Sequence, residues 1–181
     1  MWEKTFLIMG LTALLVAHVN AQSLSLGPQV GYYRAQDDNG TYTGGVALRL
    51  KIMSILGVEA SINNRQEKYA NGALTVRSWP VMVTGLIYPF PIAIVYGAMG
   101  FGWYNVTFHY DQSRLPLFPD ETTQKVGWHF GGGLELPFSS YFTLVGDFRY
   151  VFLNYDFKAI PSSGDLKSNF TAITVGFLFD L

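Results

Sequence analysis

The chain has 181 residues, a formal charge of −1, 16% aromatic and only 14% charged residues, 19 glycines and no cysteine. Soluble domains carry roughly a quarter charged residues, so this chain is poor in charge for a water-facing surface. Near-neutrality offers nothing to nucleic acid, and without cysteine there is neither disulfide nor thiolate metal site.

Met1 to Lys4 is a short polar start, Phe6 to Ala17 an apolar run, and Val19-Asn20-Ala21 carries small residues at the spacing signal peptidase reads. The apolar run is shorter than the ~20 residues a spanning helix needs. A signal peptide over residues 1–21 is therefore expected, leaving 22–181 as one domain. Mean hydropathy is +0.20, yet no later apolar run reaches spanning length. Apolar overall but alternating locally is the pattern of a transmembrane β-barrel.

Eight alternating segments follow, at about 26–35, 42–51, 56–65, 74–87, 92–108, 124–136, 141–156 and 169–181. Lys51–Ile55, Tyr88–Pro91 and Pro137–Ser140 are short connections. Asn64–Ala73, His109–Thr123 and Phe157–Lys167 are longer and polar, while Gln36–Thr41 is short, charged and contains the turn pair Asn39-Gly40. Short and long connections alternate as periplasmic turns and extracellular loops do. An even strand count puts both termini on one side, expected to be periplasmic. The fold class that follows is all-β: an eight-stranded antiparallel up-and-down transmembrane barrel, with the last strand closing on the first.

Five charges sit inside predicted strands: Arg49, Glu59, Glu135, Asp147 and Arg149. Each has large apolar neighbours at odd offsets, so all five share the face opposite the aromatics. A charge facing lipid near the midplane would cost about 2–4 kcal/mol for Arg or Lys. The five are therefore expected to form a lumen charge network. A soluble barrel would show the reverse pattern.

Aromatics gather where membrane interfaces should lie. Tyr88, Phe90, Phe138, Tyr141 and Phe142 surround the short turns; Tyr104, Phe108, Tyr110, Tyr150, Phe152, Tyr155 and Phe170 lie toward the long loops. The fifth strand allows either face outward. Pro80 implies a bulge or weakened pairing in the fourth. In the last strand Ile173, Val175, Phe177, Phe179 and Leu181 are expected to face lipid, with Leu178 the one large residue pointing inward.

These features, with GPQVGYY, LGVEASI, Tyr88-Pro89 and GWHFGGGLELPF, resemble the small eight-stranded outer-membrane β-barrel superfamily of Gram-negative bacteria. That is the opacity-like, outer-membrane protein A/X type, a porin-like family. The resemblance implies residence in the outer membrane and contact with its lipid. It also implies a final strand read by the barrel-assembly machinery. Here Phe177, Phe179 and Leu181 stand as that signal, with leucine where the family usually ends on an aromatic.

The resemblance implies no single activity. A non-enzymatic scaffold binding an extracellular ligand through its loops is the expected function. A small-solute pore is the alternative, since glycines in strands five and six leave some room. A lipid-modifying enzyme is a further one, with His109-x-Asp111-x-Ser113 as the local trio. That trio matches no lipid-enzyme motif, and His129 lacks a nearby serine. The sequons at Asn39, Asn105 and Asn169 are incidental in a bacterial envelope protein, and nothing in the sequence calls for a cofactor.

Overall fold

The computed structural model describes residues 23–35, 40–69, 74–90, 94–110, 121–153 and 169–181. The expected signal peptide and most of the long loops lie outside them. The strands are β1 (Ser23–Ala35), β2 (Thr41–Met53), β3 (Leu56–Tyr69), β4 (Leu74–Ile87), β5 (Val95–Tyr110), β6 (Glu121–Ser139), β7 (Phe142–Phe152) and β8 (Phe170–Asp180). They form one closed antiparallel barrel in chain order, with β8 paired to β1. The expected fold class is borne out.

The ring closes with a stagger. Paired residues lead from Ser25 through Arg49, Glu59, Thr84, Gly100, His129, Val151 and Phe170 back to β1 at Ala35, ten residues beyond the start. Such a shift requires the strands to tilt, typically by ~35–45°. At the seam Ser25 Oγ donates to Asp180, and the Leu181 amide bonds Leu24 O at 2.8 Å.

Two hairpins turn in two residues, Ser54–Ile55 and Ser140–Tyr141, each beside a β-bulge. Gly40 has φ +74°, the left-handed conformation that an Asn-Gly turn uses. Pro80 causes no bulge. The β3–β4 register is the same on both sides of it, but pairing lapses between Ile62↔Val81 and Arg65↔Ser78. Proline has no N–H to offer the ladder. Strand seven is shorter than expected: it ends at Phe152, and the next amide, of Leu153, is capped by Asn169 Oδ1 at 3.1 Å.

Alternation sorts the faces. Outside lie Phe101, Trp103, Trp128, Phe130, Phe148, Val175, Phe177 and Phe179, all more than a third exposed. The described tryptophans, Trp79, Trp103 and Trp128, stand toward the long-loop end with Tyr32 and Tyr42. Phe138, Phe142, Phe177 and Phe179 pack against one another at the short-turn end. On β6, Trp128 and Phe138 are ten residues apart, about the 9–11 that a tilted strand needs to cross.

Three aromatics expected in these girdles lie inside instead. Tyr88, Tyr104 and Phe170 are at most 5% exposed. Their residue type suits an interface, but their parity is inward, and parity decides. Phe170 also joins Leu178 as a second large inward residue of β8. The fifth strand acquires its register from its neighbours: Tyr96, Ala98, Gly102, Tyr104 and Val106 face in.

Replacing both Phe177 and Phe179 with Asp puts two carboxylates in the apolar band of the closing strand. The variant should lose the folded form that migrates differently before and after boiling in detergent gels. Normal heat-modifiable barrel from this variant would overturn the assignment of that face to lipid.

Candidate functional site

Among the described residues the interior holds a charge network and two buried apolar clusters. Arg49 and Glu59, directly opposite on β2 and β3, are 2% and 1% exposed. Arg49 donates from Nε to Glu59 Oε2 at 3.0 Å and from Nη1 to Glu135 Oε1 at 2.6 Å, and its Nη2 also meets Glu59 and lies 3.5 Å from Asp147. Arg149 Nη2 donates to Glu59 Oε1 at 2.7 Å and to Asp147 Oδ1 at 2.9 Å. Glu59 thus bridges both guanidiniums, one through each oxygen.

All five sequence-selected charges are brought together, and the network extends beyond them. Lys51 pairs with Glu135, giving three cations against three carboxylates. Tyr88 donates to Glu135 Oε1 at 2.7 Å, and the Tyr96 ring lies 4.7 Å beneath the Arg49 guanidinium. Arg149 Nη1 donates to Thr84 Oγ1 at 3.2 Å, and Thr84 in turn is 2.9 Å from His129 Nε2. Lys51 was legible, two residues past Arg49 on the same face. Tyr88, Tyr96 and Thr84 were not, because their roles depend on which residues stand across the lumen.

Above the charges, toward the long loops, Tyr33, Met82, Tyr104, Val151, Leu153, Phe170 and Ala172 form an apolar cluster. Phe170 packs against Tyr33 at 5.1 Å and edge-on to Tyr104 at 6.0 Å, with the Arg65 guanidinium 5.6 Å from its centroid. The glycines of β5 and β6 do not leave the space expected of them. A Cβ on Gly102 would lie 2.9 Å from Met82 and 3.1 Å from Tyr104; one on Gly127 would lie 3.0 Å from Leu153. The space of the missing side chains is taken by Met82, Tyr104 and Leu153. A gap bounded by Gln29, Ala47, Arg49, Glu59 and Asp147 measures about 10 Å³, near the minimum for one water.

His109 is the penultimate residue of β5, while Asp111 and Ser113 lie outside the described residues. His129 is fully buried in the lumen against Thr84. Among the described residues no three His, Asp or Glu side chains are grouped to hold a metal ion. Phe177, Phe179 and Leu181 are all exposed on the outer face.

A closed eight-stranded ring with apolar exterior and charged interior has its counterpart in a family model. The outer membrane protein beta-barrel domain matches residues 6–179. The chain belongs to that family. This outer-membrane barrel has no match among curated proteins. Among solved structures it is similar to the N-terminal β-barrel domain of Pseudomonas aeruginosa OprF, with TM-score 0.60 and 12% identity over 89% of this chain and 99% of that one. It is also similar to a major outer membrane protein from Thermus thermophilus, with TM-score 0.66 and 11% identity over 88% and 98%. Ail, the attachment invasion locus protein of Yersinia pestis, gives TM-score 0.53 and 14% identity over 88% and 97%. At such identities the likeness is one of fold.

Removing one partner from a buried ion pair typically costs about 3–5 kcal/mol, because the other charge is stranded. Glu59→Ala strands parts of two guanidiniums and should destabilise the barrel by about that much in urea unfolding from lipid. Arg149→Ala should cost less in the Glu59→Ala background than alone. Strict additivity would show that the two do not interact.

Proposed function

We propose that this outer-membrane barrel is a closed, non-enzymatic scaffold that acts through the surface at its long-loop end. The observation that carries this reading is the double filling of the lumen. A neutral ion network and an aromatic cluster occupy successive levels, and the gap beside Arg49, Glu59 and Asp147 admits about one water. An eight-stranded interior is about filled by its own side chains in any case.

In this reading the termini and short turns are periplasmic, and residues 1–21 are removed on export. The barrel-assembly machinery recognises Phe177, Phe179 and Leu181 on the exposed face of the closing strand. Lipid covers the apolar band, and an extracellular partner is held by the connections expected at His109–Thr123 and Phe157–Lys167. Loops on a rigid scaffold commonly carry recognition. A protein named for attachment shares the fold.

The pore alternative draws on Tyr33 Oη, Ser61 Oγ, Asn63 Nδ2 and His129 Nδ1, buried atoms without a protein hydrogen bond. They mark polar points in the lumen, and Tyr33 itself belongs to the aromatic cluster that fills the barrel toward the long loops.

Purified barrel in planar bilayers should show no stable stepwise conductance; steady openings abolished by a bulkier side chain at Gly102 would overturn the closed reading. Deleting residues 112–119 or 156–166 should leave heat-modifiability intact and lower adhesion of expressing cells. Unchanged adhesion after both deletions would remove the loops from the function.

A further inference from the structure

The closing seam carries a lapse that adjoins the gap in the lumen. Between β1 and β8 the pairs run Ser25↔Asp180 and Leu26↔Phe179, then resume at Gln29↔Gly176. Gly27 and Pro28, opposite Leu178 and Phe177, are left out. The Leu181 amide donates to Leu24 O at 2.8 Å, so Leu24 and Leu181 form a hydrogen-bonded pair in the same register. Such pairs recur at every second residue, which puts Pro28 opposite Phe177 in one of them. Proline has no N–H to give, and the Phe177 carbonyl loses its ladder donor.

That carbonyl is tipped toward the lumen. A Cβ on Gly27, which is buried on the inward face, would collide with the Phe177 oxygen. The gap of about 10 Å³ lies alongside, bounded by Pro28, Gly176 and Leu178 at the seam and by Gln29, Arg49 and Asp147 within. Polar groups around it have capacity left. Gln29 Nε2 donates to Asn63 Oδ1 at 2.8 Å, leaving Gln29 Oε1 to accept. Asp147 Oδ2 is 3.5 Å from Arg49 Nη2, a long contact that leaves this oxygen able to accept more. Ser61, opposite the gap-lining Ala47, has a buried hydroxyl without a partner among the described residues.

We infer that the gap binds one water, which donates to the Phe177 carbonyl and to Asp147 Oδ2 and so completes the seam where Pro28 cannot. The size of the gap and the chemistry of its wall select the ligand. An anion would meet a carbonyl and two carboxylates, all of them acceptors. A cation would add charge beside Arg49 to a network already balanced. What fits is neutral, has one heavy atom and gives two protons. The Phe177 side chain faces hydrocarbon, which offers its carbonyl nothing, so the donor comes from the lumen side.

Crystals of the barrel that show ordered water should hold density in the gap within hydrogen-bonding distance of Phe177 O and Asp147 Oδ2. Bare protein there overturns the site. Gly176→Ala points a methyl into the gap and should lower the folding equilibrium constant in lipid by about tenfold, the cost of an unmet buried carbonyl. Pro28→Ala restores a ladder N–H, and in that background Gly176→Ala should cost no more than about threefold. Heat-modifiability before denaturant is added confirms that each variant closes. Equal losses in the two backgrounds, failure to close in both included, would show that the methyl acts by packing alone and would overturn the water's part in the seam.

Discussion

Hydrocarbon offers no hydrogen-bond partner, so each backbone amide of a membrane-crossing strand must be paired within the protein. For strands the solution is a closed ring, and the rest of this molecule follows from closure. β8 must meet β1, which it does from Ser25↔Asp180 to Ala35↔Phe170. Even Pro80, which cannot donate, is held between its neighbours without a change of register. A soluble sheet could tolerate a free edge there; this one cannot.

Closure with a ten-residue stagger also decides which side chains meet. Because the paired row climbs as it circles, Arg49, Glu59 and Thr84 become neighbours along it, and His129 lies further round the same row. Asp147 and Arg149, on β7, approach from across the lumen and reach Arg49 and Glu59. The glycines complete the arrangement. Gly133 lies opposite Tyr96, and Gly127 leaves room for the Tyr104 ring, so aromatic bulk on β5 is matched by its absence on β6. Size is traded across strands, and along β5 between Gly102 and Tyr104.

That distinction explains what could be read from the sequence. Strand number, order and the inward placement of Arg49, Glu59, Glu135, Asp147 and Arg149 are local facts. A charge flanked by Leu48 and Leu50, or by Phe148 and Tyr150, declares its face within three residues. Tyr88, Tyr104 and Phe170 declare nothing, because tyrosine and phenylalanine suit a girdle and a lumen equally. Only ladder partners settle them. The fifth strand was ambiguous for the same reason, since its large residues alternate with glycines that could face either way. The trio at His109, Asp111 and Ser113 falls largely beyond the described residues.

A buried ion network is weak evidence for stability, since well-packed apolar residues in its place would cost less to desolvate. Its contribution here is better sought in register. A one-residue slip exchanges the faces of a strand, and it is resisted only where the faces differ. Along β6 and β8 the inward side holds His129, Gly131, Gly133, Ala172, Gly176 and Leu178, several of which lipid would accept. An all-apolar lumen would make the two faces nearly interchangeable. Glu135 removes that degeneracy on β6, as Arg49, Glu59, Asp147 and Arg149 do on β2, β3 and β7, because a slip of any of these strands would send its charge into hydrocarbon, at about 2–4 kcal/mol for each arginine near the midplane. The same charges have no net field to offer outside, being balanced within the ring. The interior therefore specifies the barrel by fixing which face of each strand turns inward.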